Sequence, residues 1–204
     1  MEEVTLAVAL VTGFTHAFEA DHLVAVGALA TRKSRLASIL QEGVYWGLGH
    51  SSTILIVGLA FILIGLPLDG WLFQWGEAFV GVMLIGLGLW RLYQGRNHRS
   101  HSHVSSSDQT HGLAYRVGLI HGLAGSGAVI ILLVTQLSTT GHSIFALVAF
   151  GLGSVIGMLI AAAFFGIPWC KRLMSSPRWS RIVQMISAGI CVGYGVYVLM
   201  AQIS

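Results

Sequence analysis

Two long stretches of the sequence contain no Asp, Glu, Lys or Arg, and this feature restricts the fold more than any other. They cover residues 43–68 and 117–170. The apolar core of a bilayer needs about 20 residues per helix, so the first stretch fits one membrane span and the second fits two, separated by a polar break at 135–143. Charged residues form 9% of the chain, against about 25% in a soluble domain. We therefore predict a membrane protein.

Further apolar segments raise the predicted number of spans to six. Backbone polar groups in lipid must be bonded within the protein, and the chain lacks the alternating pattern of a β-barrel, so each span is predicted to be helical. The first segment begins Met-Glu-Glu, without the basic start of a secretory signal, and is expected to be a retained span. The predicted spans are about 4–30, 38–66, 71–93, 114–137, 143–167 and 182–203.

The basic residues fall on one side of this topology. All eleven Lys and Arg residues lie within 32–35, 91–116 and 171–181, around the first, third and fifth connectors. Because cytoplasmic loops are enriched in Lys and Arg, we predict that these connectors are cytoplasmic and that both termini are extracytoplasmic. The same topology accounts for the basic composition, so no nucleic-acid partner is expected.

Three glycine-containing segments recur in the same order in both halves of the chain. Each pair is separated by a similar number of residues, so 4–93 and 114–203 are interpreted as two copies of one three-span unit. Because three is odd, the copies must cross the membrane in opposite directions, as in many transporters. The expected fold is all-α: a single membrane domain (1–204) of six transmembrane helices forming two inverted three-helix repeats. The recurring pairs are Gly13-Phe-Thr-His16 with Gly118-Leu-Ile-His121, Gly47-Leu-Gly49 with Gly151-Leu-Gly153, and Gly86-Leu-Gly88 with Gly193-Tyr-Gly195.

Small residues at four-residue spacing predict close contacts between membrane helices, because they let two backbones approach each other. Three such stripes occur, and each is interpreted as a packing surface. They are Gly118/Gly122/Ser126, Gly153/Gly157/Ala161 and Gly189/Gly193.

Histidine and acidic residues lie near the middle of three predicted spans. A charged group at that depth costs at least a few kcal/mol, so such groups are expected to bind one another or a ligand. The first span carries most of them, and the second and fourth spans add histidines at matching depth. In chain order they are His16, Glu19, Asp21 and His22, then His50 followed by Ser51 and Ser52, then His121.

A regular helix cannot direct the first-span groups at one point. With 3.6 residues per turn, Asp21 lies about 140° around the helix from His16. Gly13 would permit a break, and broken helices are where transporters place ion-binding groups. We therefore predict a local irregularity between about Gly13 and Asp21.

The residue types indicate which ion is bound. Imidazoles with a carboxylate and no thiolate suit nickel, cobalt, zinc or copper(II), whereas calcium and magnesium prefer oxygen ligands. Chains of His and Asp also carry protons through membranes, so proton movement is the competing interpretation of the same residues.

Two segments resemble known signatures. His16-Ala-Phe-Glu-Ala-Asp21-His22 resembles the His-x4-Asp-His signature of the nickel/cobalt transporter family, and Leu48-Gly-His50-Ser51-Ser52 resembles its Leu-Gly-His-Ser segment. The stretch from His121 to Gly127 is similar to the fourth span of related urease-accessory membrane proteins. The resemblance implies transport of Ni²⁺ or Co²⁺, with Zn²⁺ not excluded. The metal ligands it implies are His16, Asp21, His22 and His50.

The family pattern is not matched throughout. Classical nickel/cobalt transporters resemble eight-span proteins with the signature in the second helix, whereas this chain has six predicted spans and the signature in the first. It is therefore more similar to the short urease-accessory branch, for which the metal and the direction of transport are less defined.

Two functions remain open. The first is a nickel or cobalt transporter in which Glu19, Ser51, Ser52 and His121 orient the ligands or relay protons. The second is a non-transporting accessory protein that binds nickel and passes it to metallochaperones or to urease or hydrogenase assembly proteins. Metal flux into vesicles by the purified protein would separate them. The chain lacks paired cysteines and a haem-ligand pattern, so it is not expected to be an enzyme, and we expect it in a bacterial plasma membrane.

The connector 94–113 contains four histidines among serines. It is interpreted either as a weak metal-collecting loop or as a solvated, disordered linker between the repeats. Deletion of 97–111 without any change in metal accumulation would favour the linker. The histidines are His98, His101, His103 and His111.

Overall fold

The computed structural model describes residues 2–30, 36–64, 70–96, 107–123, 139–170 and 177–202, and all regular structure within these ranges is helical. Four of the helices contain segments long and apolar enough to cross a membrane, and they correspond to the predicted second, third, fifth and sixth spans. The described helices are α1 (Glu2–His16), α2 (Ala20–Ala30), α3 (Leu36–Ile64), α4 (Gly70–Arg96), α5 (Ser107–His121), α6 (Thr140–Cys170) and α7 (Pro177–Ala201).

The first predicted span is two short helices rather than one. Helix α1 ends at His16 and α2 begins at Ala20. Between them the amide of Phe18 donates to the carbonyl of Thr15, and the amide of Glu19 donates to the carbonyl of His16, both at 3.0 Å. These tight turns interrupt the regular helical ladder. The irregularity predicted between Gly13 and Asp21 is therefore confirmed.

Helix α5 ends in a similar way. Its last residue is His121, and a turn follows at 122–123. The helix begins at Ser107, several residues before the predicted start of the fourth span. The remainder of that predicted span, 124–137, lies outside the described residues.

The bundle exposes large apolar side chains on its surface and buries several histidines within its apolar core. Large side chains such as Ile56, Phe145 and Phe164 are more than 60% exposed, while His50 and His121 are fully buried. In water this arrangement would be unfavourable, because exposed apolar side chains carry a free-energy cost. The distribution therefore fits a lipid environment.

Helices α1 and α6 touch backbone to backbone. A Cβ atom added to Gly13 would overlap the carbonyl of Phe150, and one added to Gly153 would overlap the carbonyl of Leu10. The hydroxyl of Ser154 also donates to the carbonyl of Gly13, at 3.2 Å. Glycine at both positions is what allows these two helices to meet.

Helices α3 and α5 also meet backbone to backbone at glycine residues. A Cβ at Gly49 would overlap the carbonyl of Tyr115, and a Cβ at Gly118 would overlap the carbonyl of Trp46. Gly122 lies equally close to α3, because its Cβ would stand 2.6 Å from the carbonyl oxygen of His50. The predicted packing role of the Gly118 stripe is confirmed for its two glycines, while Ser126 lies outside the described residues.

The third stripe has no partner among the described residues, since none of them lies within 4 Å of a Cβ built at Gly189 or Gly193. The described helices therefore leave the packing role predicted for this stripe untested. Helices α4 and α7 meet instead at Gly81, Gly88 and Gly195, where an added Cβ would lie within 3.0 Å of the partner helix.

We expect Gly118→Ala to destabilise the protein by about 1–3 kcal/mol, because the new methyl group forces α5 away from α3. Gly112→Ala is the matched control on the same helix, since none of the described residues lies within 4 Å of its Cβ position. Alanine there gains about 0.5–1 kcal/mol of helix preference. Thermal unfolding of the purified variants in detergent measures the difference. Equal melting temperatures would contradict the proposed helix contact.

Candidate metal centre

Three histidines from three helices converge inside the bundle. His16 is the last residue of α1, His22 lies in the first turn of α2, and His50 lies in the middle of α3. Their ring centroids are 4.8 Å (His16–His22), 5.3 Å (His16–His50) and 5.1 Å (His22–His50) apart. One ring nitrogen of each lies within 4.8 Å of the others. All three are buried.

The interruption between α1 and α2 allows this convergence. In a continuous helix His16 and His22 would lie about 120° apart around the axis. The turn at 17–19 changes the backbone direction, so both rings reach the same place. The sequence resemblance implies four metal ligands, and three of them, His16, His22 and His50, form one group.

Carboxylates hold two of the three rings. The Nδ1 atom of His16 donates to Glu19 Oε1 at 2.7 Å, and Nδ1 of His22 donates to Asp21 Oδ1 at 3.0 Å. A carboxylate can only accept, so the proton sits on Nδ1, and in the neutral imidazole Nε2 keeps its lone pair. This carboxylate–histidine arrangement orients metal-binding imidazoles and raises their basicity.

The remaining ring nitrogens are buried without a hydrogen-bond partner among the described residues. They are Nε2 of His16, Nε2 of His22 and both nitrogens of His50. A buried polar group left unsatisfied costs about 1–3 kcal/mol. An ion bound by these nitrogens would offset that cost, and this chemistry is what the arrangement can perform.

A second group of candidate ligands adjoins the first and shares His22. Asp21, His22 and His121 each offer one atom within 4.8 Å of the other two. Asp21 Oδ2 lies 3.8 Å from His121 Nε2, and the rings of His22 and His121 are 4.8 Å apart. His121 is fully buried, whereas one fifth of the Asp21 side chain is exposed. The structure therefore places Asp21 and His121 together, on one side of the three-histidine group.

Aromatic side chains, which the sequence analysis missed, form the walls of the cluster. The indole of Trp46 stacks on His22 at 5.7 Å and meets the edge of His121 at 5.4 Å. Phe150 lies 5.6 Å from His16. Trp46 precedes His50 by four residues on α3, so helical spacing alone could have identified it. These rings cover faces of His16, His22 and His121 with apolar surface.

The two predicted serines bond to helix backbones. Ser51 Oγ donates to the carbonyl of Gly151 at 2.9 Å, which joins α3 to α6. Ser52 Oγ donates to the carbonyl of Leu48 at 2.7 Å. Both hydroxyl protons are therefore used in packing, away from the imidazole nitrogens.

The histidine-rich connector is shorter than its sequence suggested. His111 lies in α5, and its ring stacks on Tyr45 with centroids 4.7 Å apart. The sequence prediction that placed it in a loop is corrected by this helix, which begins at Ser107. His98, His101 and His103 lie outside the described residues.

No protein-family model matches the chain, and no solved structure matches it. Two chloroplast proteins of Arabidopsis thaliana, FOR GROWTH AND FERTILITY 2 and 1, are 24% and 25% identical over 196 and 201 residues. These matches cover 89% of this chain but about half of each plant protein, 52% and 54%.

A nearer relative covers most of both chains. The urease accessory protein UreH of Bacillus sp. (strain TB-90) is 32% identical over 178 residues, which are 80% of this chain and 77% of that protein. At this identity and coverage, the chain belongs to the family of the urease accessory protein UreH.

Proposed function

We propose that the protein binds a divalent transition metal ion at His16, His22 and His50 and moves it across the membrane. The observation that carries this proposal is the set of buried imidazole nitrogens that converge without partners. Their Nδ1–carboxylate bonds leave Nε2 of His16 and His22 ready to bind an ion.

Nickel and cobalt are the ions we propose. Neutral imidazoles without thiolates suit borderline metals, and zinc shares this preference. The resemblance of 16–22 to the nickel/cobalt transporter signature favours the first two. In this proposal Glu19 orients the ring of His16, and Asp21 orients the ring of His22.

Transport by rocking of two inverted repeats is the mechanism we propose. Helix α1 packs on α6, and α5 packs on α3. If the two halves of the chain are exchanged, α1 takes the place of α5 and α6 takes the place of α3, so each of these contacts becomes the other. The contacts α3–α6 and α4–α7 are each unchanged by that exchange. His16 and His121 also occupy equivalent positions, as the last residues of α1 and α5. This pattern supports a twofold relation with the ion between the halves.

A second function is favoured by the name of the relative, a urease accessory protein. In this alternative the protein binds nickel at the same cluster and delivers it to metalloenzyme assembly proteins without moving it across the bilayer. Uptake of radioactive nickel by vesicles containing only this protein supports transport. Binding of nickel to the protein with no uptake supports delivery.

We expect His50→Ala to lower nickel affinity by more than about 100-fold, because loss of an orienting group alone costs about 10–100-fold. Uptake into vesicles should fall in parallel. His142→Ala is the control, since that ring bonds to Thr139 at the start of α6. Equilibrium dialysis of the purified protein measures the affinity, and wild-type binding by His50→Ala would refute the assignment.

We expect Glu19→Gln to lower nickel affinity by about tenfold, since a neutral amide holds the His16 ring less firmly than a carboxylate. Glu19 is more than half exposed, so the fold should tolerate the change. Ser52→Ala should bind nickel as the wild type does, because the Ser52 hydroxyl bonds to the Leu48 carbonyl. A larger loss of nickel affinity in Ser52→Ala than in Glu19→Gln would contradict the proposed role of Glu19.

A further inference from the structure

A cavity of about 400 Å³ reaches Asp21, one of the candidate metal ligands, from one face of the bundle. Its polar lining consists of three carboxylates, two tyrosines and an amide: Glu19, Asp21, Glu77, Tyr194, Tyr197 and Gln202. Glu77 lies near the start of α4, and Gln202 follows the end of α7. The cavity therefore belongs to the face at which α4 begins and α7 ends.

The described residues leave little space on the other side of His22. There the space beside Trp46 and Glu42 is about 10 Å³, which is room for one water molecule at most. Glu42 lies near the start of α3, and α3 ends shortly before α4 begins. Glu42 therefore lies towards the face opposite to the one that holds the cavity. Trp46 is buried and stacks on His22 between these two regions.

We propose that the metal ion enters through the carboxylate-lined cavity and is held first by Asp21, His22 and His121, before it passes to His16, His22 and His50. This inference rests on the proposed function and adds a second position and a direction of access. Asp21 is the link, because it lines the cavity and lies within reach of both His22 and His121.

The shared ring of His22 makes the transfer feasible. Its centroid is 4.8 Å from that of His16 on one side and 4.8 Å from that of His121 on the other. The ion therefore exchanges Asp21 and His121 for His16 and His50 while His22 remains a ligand. At no stage does a bare cation face the apolar interior, where its desolvation would be prohibitive.

The cavity carries the charge that a cation entrance needs. Glu19, Asp21 and Glu77 lie along it, and Glu77 is held in place by a hydrogen bond from the Gln202 amide, which leaves its charge unneutralised. A cleft lined by one sign of charge between low-dielectric walls concentrates counter-ions and speeds their association.

Stopped-flow binding of Co²⁺ to the full chain in lipid nanodiscs tests the first position. Its visible absorption reports the ligands. We expect His121→Gln to slow Co²⁺ binding and release by about tenfold or more, with a smaller change in the equilibrium constant, because an intermediate position affects both directions. In His50→Ala, Co²⁺ should remain weakly bound with a spectrum that indicates a carboxylate oxygen, and adding His121→Gln should abolish this binding.

Glu77→Gln tests the entrance without altering the buried cluster. We expect Co²⁺ association to slow several-fold at low salt, and the difference from the wild type to vanish at high salt, where surface charges are screened. Asp108→Asn is the control, because Asp108 lies in the first turn of α5, towards the face at which α4 ends. Equal slowing in both variants would overturn the proposed route.

The remaining outcomes distinguish a failure of the first metal position from a failure of the proposed function. Wild-type binding and release rates in His121→Gln would exclude the first position, even if the protein transports metal. Complete loss of Co²⁺ binding in His50→Ala alone would also exclude it. A wild-type protein that binds no Co²⁺ or Ni²⁺ would refute the proposed function itself.

Discussion

Backbone contact between helices at glycine is the constraint on which the rest of this structure depends. Each histidine that α1, α3 and α5 supply to the cluster lies within one turn of a glycine that touches a partner helix. Gly13 precedes His16 by three residues, Gly49 adjoins His50, and Gly118 precedes His121 by three. In lipid no hydrophobic effect drives helices together, so close packing of small residues must do so. The imidazoles converge because the backbones do.

Two helices end inside the bundle, and their ends favour a cation at the candidate site. Helices α1 and α5 end at His16 and His121. The C-terminal end of a helix carries partial negative charge, which favours a cation nearby. At the start of α2, Asp21 is likewise a favourable residue, because the N-terminal end is partially positive. The break thus lets α2 hold a carboxylate beside its own histidine.

Much of this arrangement could be predicted from local features of the sequence. The uncharged stretches and the further apolar segments predicted helices that α3, α4, α6 and α7 confirm. The angular mismatch between His16 and Asp21 predicted an irregularity, which the structure places at 17–19. Glu19 was expected to support the site, and its bond to His16 is consistent with that role. These inferences succeeded because hydropathy, helical period and the cost of buried charge all act over a few residues.

The remaining features depended on which helix faces meet. The serines after His50 were expected to support the site, yet both of their hydroxyls donate to helix backbones. The sequence by itself determined the four long apolar helices and the histidines and carboxylates near the middle of the predicted spans. Only the tertiary structure decided that Asp21 and His121 form a second group beside His22, and that a cavity opens at Asp21. Contacts between residues distant in the chain set those distances, and no local pattern contains them.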